Sequence, residues 1–161
     1  MEDATNYIIN GFSGASNGQV IRVPNTAQFS QIETDLGAAA GVVAGGSYKI
    51  GVNFVDETDG ISVAKVFVDD VEIGTWSFDG TAGVQLNPGA ATGNFSQPGN
   101  FRFVEFDTPV VISENSVLKI EMDAGNGEPG RIDSITLTPA EVPEENQAPT
   151  GVVVTPVLTE I

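Results

Sequence analysis

Cysteine and histidine are both absent from this chain of 161 residues. Without thiols there is no disulfide, no iron–sulfur cluster and no thiolate zinc centre, and the redox compartment stays open. Without thiol or imidazole most nucleophile and base pairs are excluded, which leaves paired carboxylates as the remaining catalytic device. Positive charge is scarce too: 6 Lys and Arg stand against 22 Asp and Glu, a formal net charge of −16. Such a field repels phosphate backbones and anionic headgroups, so neither nucleic acid nor a membrane surface is expected as a partner. The longest apolar run is short and MEDATNYI has no basic start. Neither a signal peptide nor a membrane-inserting helix is therefore expected, as for a piece of a larger secreted protein.

What the chain does have is carboxylate, glycine and alternation. Excess carboxylate favours a hard cation, because Ca²⁺ takes oxygen ligands and relieves local repulsion, although the same charge also serves solubility. SYKIGVNFVD, ISVAKVFVDD, VEIGTWSFDG, FRFVEFDTPVVI, SVLKIEMD and RIDSITLTP alternate between Gly, Asn, Asp or Pro clusters, and YIING, GQVIRVP and QIETDL add shorter segments. That pattern predicts an all-β chain, a two-sheet antiparallel β-sandwich (jelly roll) of roughly nine strands. VFVDDVEIGTW reads as a hairpin with Asp69 and Asp70 at its turn and Trp76 in or near the core. AAAGVVAGG is too rich in glycine for more than a brief turn.

The composition changes near Pro139. Residues 1–139 are expected to form the sandwich, residues 140–150 an acidic Pro-rich linker, and residues 151–161 the truncated start of a following module or a tail. NQAPTGVVV resembles the start of a cadherin-like repeat.

Two loops share the spacing D-x-x-[DN]-G at strand ends: DETDG, from Asp56 to Gly60, and DAGNG, from Asp123 to Gly127. Oxygen-rich side chains on a Gly-turned loop are what Ca²⁺ needs, which makes Asp56, Asp59 and Asp123 candidate ligands. Neither loop fits the EF-hand pattern, and Asp, Asn and Gly are also the commonest turn formers, so turn chemistry explains the composition equally well.

The opening EDAT, GFSGASNGQVIRVP, GGSYKIGVNFVDETDG, VFVDDVEIGTW and the closing GRIDSITLTP together resemble, over Glu2 to Thr138, the β-sandwich carbohydrate-binding modules of families six, thirty-five and thirty-six. The resemblance implies a structural Ca²⁺ between Glu2 and Asp133, at the places of the opening Glu and of the Asp in a closing N-I-D-x-I motif that here reads R-I-D-S-I. For Asp133 the plain alternative is a strand-end residue bonded to backbone amides. The resemblance also puts the loop from Asp123 to Arg131 beside a sugar cleft, with Asn126 and Glu128 offering oxygens to metal or hydroxyl and Glu57 facing the same cleft. Arg131 departs from the Asn common in family six, and its fork matches a sugar carboxylate.

A sugar site normally also has an aromatic platform. With Trp76 and Tyr48 in strands, Phe29, Phe12 and Phe95 are the loop candidates, each equally readable as a buried anchor; Phe29 is assigned to the ligand site. So few aromatics favour recognition through calcium and polar contacts, of a chain end or an acidic sugar. The expected function is that of a non-catalytic, calcium-dependent module of a secreted or cell-surface multidomain bacterial protein, a monomeric unit tethering its parent to a polysaccharide or oligosaccharide. The alternative is a calcium-stiffened structural domain of a large adhesin that binds no sugar. Glycoside hydrolysis would need two carboxylates about 5 to 9 Å apart across a cleft, and Glu105 and Asp107, two apart in a strand, share a face without flanking one.

Overall fold

A computed structural model describes residues 7–23, 30–39, 41–93, 97–123 and 128–140. The strands are β1 (Ile8–Gly11), β2 (Gln19–Val23), β3 (Ser30–Asp35), β4 (Gly46–Val55), β5 (Ser62–Val68), β6 (Val71–Phe78), β7 (Val84–Gln85), β8 (Phe101–Glu105), β9 (Val110–Ile112), β10 (Val117–Asp123) and β11 (Gly130–Pro139), with one 3-10 turn at Pro98–Asn100. They form two antiparallel sheets. The 7-stranded sheet runs β1-β2-β11-β4-β8-β7 with β9 beside β4, and the 4-stranded sheet runs β3-β10-β5-β6. The expected sandwich is therefore observed, with more strands than the sequence pattern showed.

The two additional strands have local causes. FRFVEFDTPVVI is one apolar stretch, but it breaks at Asp107-Thr108-Pro109: β8 pairs with Gly51–Val55 of β4 and β9 with Gly46–Tyr48. Proline cannot donate to a ladder, so the break falls beside it. β7 has only two residues, too few for any periodicity to reveal.

Alternation places the core. Ala64, Val66 and Val68 of β5 and Leu118, Ile120 and Met122 of β10 face Ile50, Val52 and Phe54 of β4 across the sandwich. Trp76 lies among them, its ring centroid 5.7 Å from Phe54, 5.6 Å from Phe78 and 6.2 Å from Phe106. The β5–β6 hairpin turns on Asp69 (φ 51) and Asp70 (φ 63), the positive φ values that a two-residue hairpin loop requires. Asp69 also accepts bonds from Ser116 Oγ and the Val117 amide, both at 2.9 Å, which ties this turn to β10. In the AAAGVVAGG stretch, Val42 N–H bonds Ala39 O at 3.2 Å and Gly46 N–H bonds Val43 O at 2.9 Å, turns that lead into β4.

A second, smaller cluster of Phe12, Val20, Val55 and Phe101 lies apart from the main core, with Phe12 edge-on to Phe101 at 5.5 Å. Phe12 is thus a buried anchor and not a sugar platform, because the turn that carries it folds back on β2 through Phe12 N–H to Gly18 O at 2.8 Å. Phe29 and Phe95 lie outside the described residues, as do the expected linker beyond Ala140 and the final segment. No helix among the described residues is long and apolar enough to cross a membrane.

Gly74 shows how tightly the sheets pack: a Cβ there would lie 2.0 Å from Phe106 Cδ1. Gly74→Ala should lower stability by about 1–3 kcal/mol, the usual cost of overpacking. Urea denaturation checks this, and an unchanged midpoint would contradict the packing described.

Candidate metal centre

The register of β11 on β4 builds the site. Arg131 pairs with Val55, so the start of β11 lies against the end of β4 and the residues just outside each strand meet. Asp56 and Glu57 follow β4, Asp59 follows on the turn, and Glu128 precedes β11. The Asp56 amide donates to Asn100 O at 2.9 Å, and the Asn100 side chain in turn bonds both the N–H and the C=O of Thr92 at 2.8 Å. One backbone bond and the Asn100 side chain thus tie the end of β4 to the segment around Thr92.

Glu57, Asp59 and Glu128 each present a carboxylate oxygen, and these oxygens lie within 4.8 Å of one another. Glu57 is 2% exposed and Glu128 0%, while Asp59 is exposed and forms the open side. Their partners differ. Glu57 Oε2 is paired with Arg131 Nη1. Both oxygens of Glu128 are buried with no hydrogen-bond donor among the described residues. The facing Asp59 carboxylate is itself an acceptor, so the two can bond only by sharing a proton.

The electrostatics follow. Burial first, and then Asp59, Glu57 and Asp56, push Glu128 up to about 9. Burial also raises Glu57, and the bond from Arg131 works against it. A carboxylate in this position keeps a proton at neutral pH unless a cation takes the proton's place. The donor set defines that cation. It is all oxygen, in a chain without His or Cys, which suits a hard divalent ion and not zinc. Oxygens within 4.8 Å of one another are close enough to share one cation. The Glu128 oxygens, without a donor among the described residues, and the all-oxygen donor set fit a hard divalent cation.

The residues named from sequence divide accordingly. Asp59, named from sequence as a metal ligand, lies together with Glu57 and Glu128, which the resemblance put on the ligand side. Asp56 does not join them. It is fully buried, both its oxygens accept the Gly80 amide at 3.0 Å, and Arg102 Nε lies at 3.7 Å. Burial outweighs those contacts and raises Asp56 to about 6. Asp123 is exposed and borders a separate hollow with Val63, Lys65 and Glu121. Asp133 Oδ1 accepts both the amide and the hydroxyl of Ser16, at 2.8 and 2.9 Å, while Glu2 and Asn126 lie outside the described residues. Glu105 and Asp107 both pair with Lys49, at 3.9 and 3.2 Å.

Arg102 was not identified from sequence. Its guanidinium donates to the carbonyls of Gly80, Thr81, Ala82 and Gly83, so Asp56 and Arg102 together fix the 80–83 turn beside the site. One signal was present: Arg102 alternates with Val104 and Phe106, on the apolar face of its strand.

No family model and no curated protein matches the sequence. Among solved structures, the chain is similar to a family 35 carbohydrate binding module from an environmental isolate, at TM-score 0.53 and 20% identity over 86% of this chain and 94% of that one. It is similar to a family 35 carbohydrate binding module from Clostridium thermocellum at TM-score 0.56 and 12% identity, covering 84% and 89%. It is also similar to part of the insecticidal crystal protein Cry2Aa, at TM-score 0.55 and 17% identity, covering 83% and 19%. What the three have in common with this chain is the fold.

The raised carboxyls predict a pH dependence. In chelator, the folded protein holds the Glu128 proton up to about 9 whereas the unfolded chain releases it near the ordinary 4.5, so stability falls as pH rises through that window. Asp56 adds a loss of the same sign between its ordinary 3.8 and about 6. Melting in EDTA should therefore occur at progressively lower temperature from about pH 5 to about pH 9. A flat or rising profile would contradict the site's electrostatics.

Proposed function

We propose that this chain is a non-catalytic carbohydrate-binding module, dependent on Ca²⁺, from a secreted or cell-surface multidomain bacterial protein. In this reading it acts as a monomeric unit that tethers its parent to a polysaccharide. The observation that carries the reading is Glu128, a fully buried carboxylate without a donor among the described residues, set against Glu57 and Asp59 at one end of a fold like that of family 35 modules.

Glu57, Asp59 and Glu128 would hold the ion. When bound, Ca²⁺ supplies a Lewis-acid point at which sugar oxygens can complete the coordination. The chain's own residues do the rest. Arg131 orients Glu57 from its far side, and the Asp56–Arg102 arrangement keeps the neighbouring turn in place. Asp59, the exposed member, marks the side open to a ligand.

One observation favours the structural-spacer alternative: Tyr48, Trp76 and Phe12 are all buried, so none of them is a stacking platform. A spacer would use the same ion to join β4 to β11 and bind no glycan.

Melting in EDTA and in millimolar Ca²⁺, with and without neutral and acidic polysaccharides, separates the two. A ligand at one hundred times its Kd stabilises the folded state by about 2.7 kcal/mol, well within reach of a thermal scan. The module reading expects a calcium shift and a further glycan shift; calcium alone would leave the spacer, and no calcium shift would defeat both.

Glu128→Gln is the sharper variant. It removes the uncompensated acid, so it should melt higher than the parent in EDTA at pH 8 and show no calcium shift. A Glu128→Gln protein that keeps the full shift would sink the assignment of this carboxylate as a ligand.

A further inference from the structure

A strand at the edge of a sheet offers unpaired N–H and C=O groups to any other chain, and folded proteins guard such edges with charge, proline, a bulge or brevity. Among the described residues, β1, β3, β6, β7 and β9 each have a strand neighbour on one side alone. Four of these edges are guarded. β3 exposes Glu33 and Asp35, and β6 exposes Glu72 and is bulged against β5 at Val66 and Phe67. β7 has two residues, and β9 has three beside Pro109. β1, Ile8–Gly11, has no charge, no proline and no register shift against β2.

The side chains of this edge are apolar and open. Tyr7, just before it, is 38% exposed, Ile8 44% and Ile9 62%. Alternation points Ile8 and Ile9 to opposite faces, so β1 is apolar on both sides. On the inner side Tyr7 and Ile9 continue an apolar groove with Ile21 of β2 and Ile32 of β3. Charge then bears on the partner. From Ala4 to Ile32 the sequence has no Asp or Glu and one Arg, whereas the whole chain stands at −16. Like charge keeps copies of so acidic a protein apart, and β1 is an edge at which two copies can meet without opposing carboxylates. Identical strands laid antiparallel about a two-fold axis also present the same apolar residues to each other.

We propose that β1 pairs with β1 of a second copy of this chain, antiparallel and two-fold, so that the two larger sheets run on as one. A contact built on four residues falls short of the roughly 1,000 Å² expected of a stable interface. The chain therefore remains single in dilute solution, as in the reading above, and pairs where copies are concentrated. A polysaccharide that holds several modules side by side creates such a concentration, and pairing then adds avidity to weak single contacts. The edge itself does not involve the cation site or any glycan, so the pairing is independent of that reading.

The chain has no cysteine, so single cysteines report the contact. Directly opposed residues of an antiparallel pair share a face, so the two-fold axis must pass beside one residue of β1 that faces its own copy, at a Cβ separation of about 4.5–5.5 Å. Mild oxidation of concentrated full-length Ile8→Cys, Ile9→Cys and Asn10→Cys should therefore give a disulfide-linked pair from at least one of them. That linkage should form at least about tenfold faster than from Val84→Cys or Val111→Cys, whose parent residues are 67% and 64% exposed but lie on β7 and β9. In sedimentation the mean mass of the parent should rise with concentration, and Ile9→Lys, which guards the edge, should remain single. Ile9→Lys should melt within about 3 °C of the parent, so that lost pairing is not lost folding. An Ile9→Lys protein that still pairs, or faster linkage at Val84→Cys or Val111→Cys, would overturn the proposal. A parent that stays single at every concentration would overturn it too, and β1 cysteines slow to take up maleimide would then show that other residues of the same chain cover the edge.

Discussion

A buried carboxylate without a donor among the described residues is the constraint on which one end of this molecule depends. Glu128 lies fully buried just before β11, with two oxygens that nothing among the described residues satisfies. Such a group must keep a proton or accept a cation, because an isolated buried charge is far too costly to persist. Among the described residues, the register that places β11 against β4 brings Glu128 only Glu57 and Asp59, which add negative charge. The β4 register brings Arg131 to Glu57, and the separate pairing of β11 with β2 sets Arg22 opposite Arg131.

Adjacent carboxylates in one sequence motif reach different ends for identifiable reasons. Asp56 has an amide donor and a guanidinium beside it, and it serves to secure the 80–83 turn through Arg102. Glu57, the next residue, is met by Arg131 with one oxygen and by the acidic group on its other side. Asp59 stays in solvent. The gradient from satisfied to exposed along these four residues follows from the partners that strand register brings to each: Gly80 and Arg102 to Asp56, Arg131 to Glu57 and solvent to Asp59.

Much of this was legible in the sequence. Period-two alternation gave the sandwich, and DD between apolar runs gave the hairpin, because both signals are local and repeated. β7 was not legible, since two residues carry no period, and neither was the break at Pro109 inside a continuous apolar stretch. The loops that carry the candidate site were recognised through D-x-x-[DN]-G, but the spacing did not say which members would meet. Asp56 and Asp123 looked equivalent to Asp59 in that pattern; whether each finds Gly80, solvent or another acid depends on strand register, which turn motifs do not encode. Arg102 was overlooked for the opposite reason. Its apolar-face position was visible, yet its four carbonyl partners come from a turn some twenty residues away.

The central claim is that Glu57, Asp59 and Glu128 form one cation site, and a crystal structure of the chain grown in calcium tests it most directly. The account predicts an ion about 2.3–2.6 Å from at least one oxygen of each of the three carboxylates. An ion bound elsewhere, at Asp133 or Asp123, with Glu128 still lacking any partner, would contradict it.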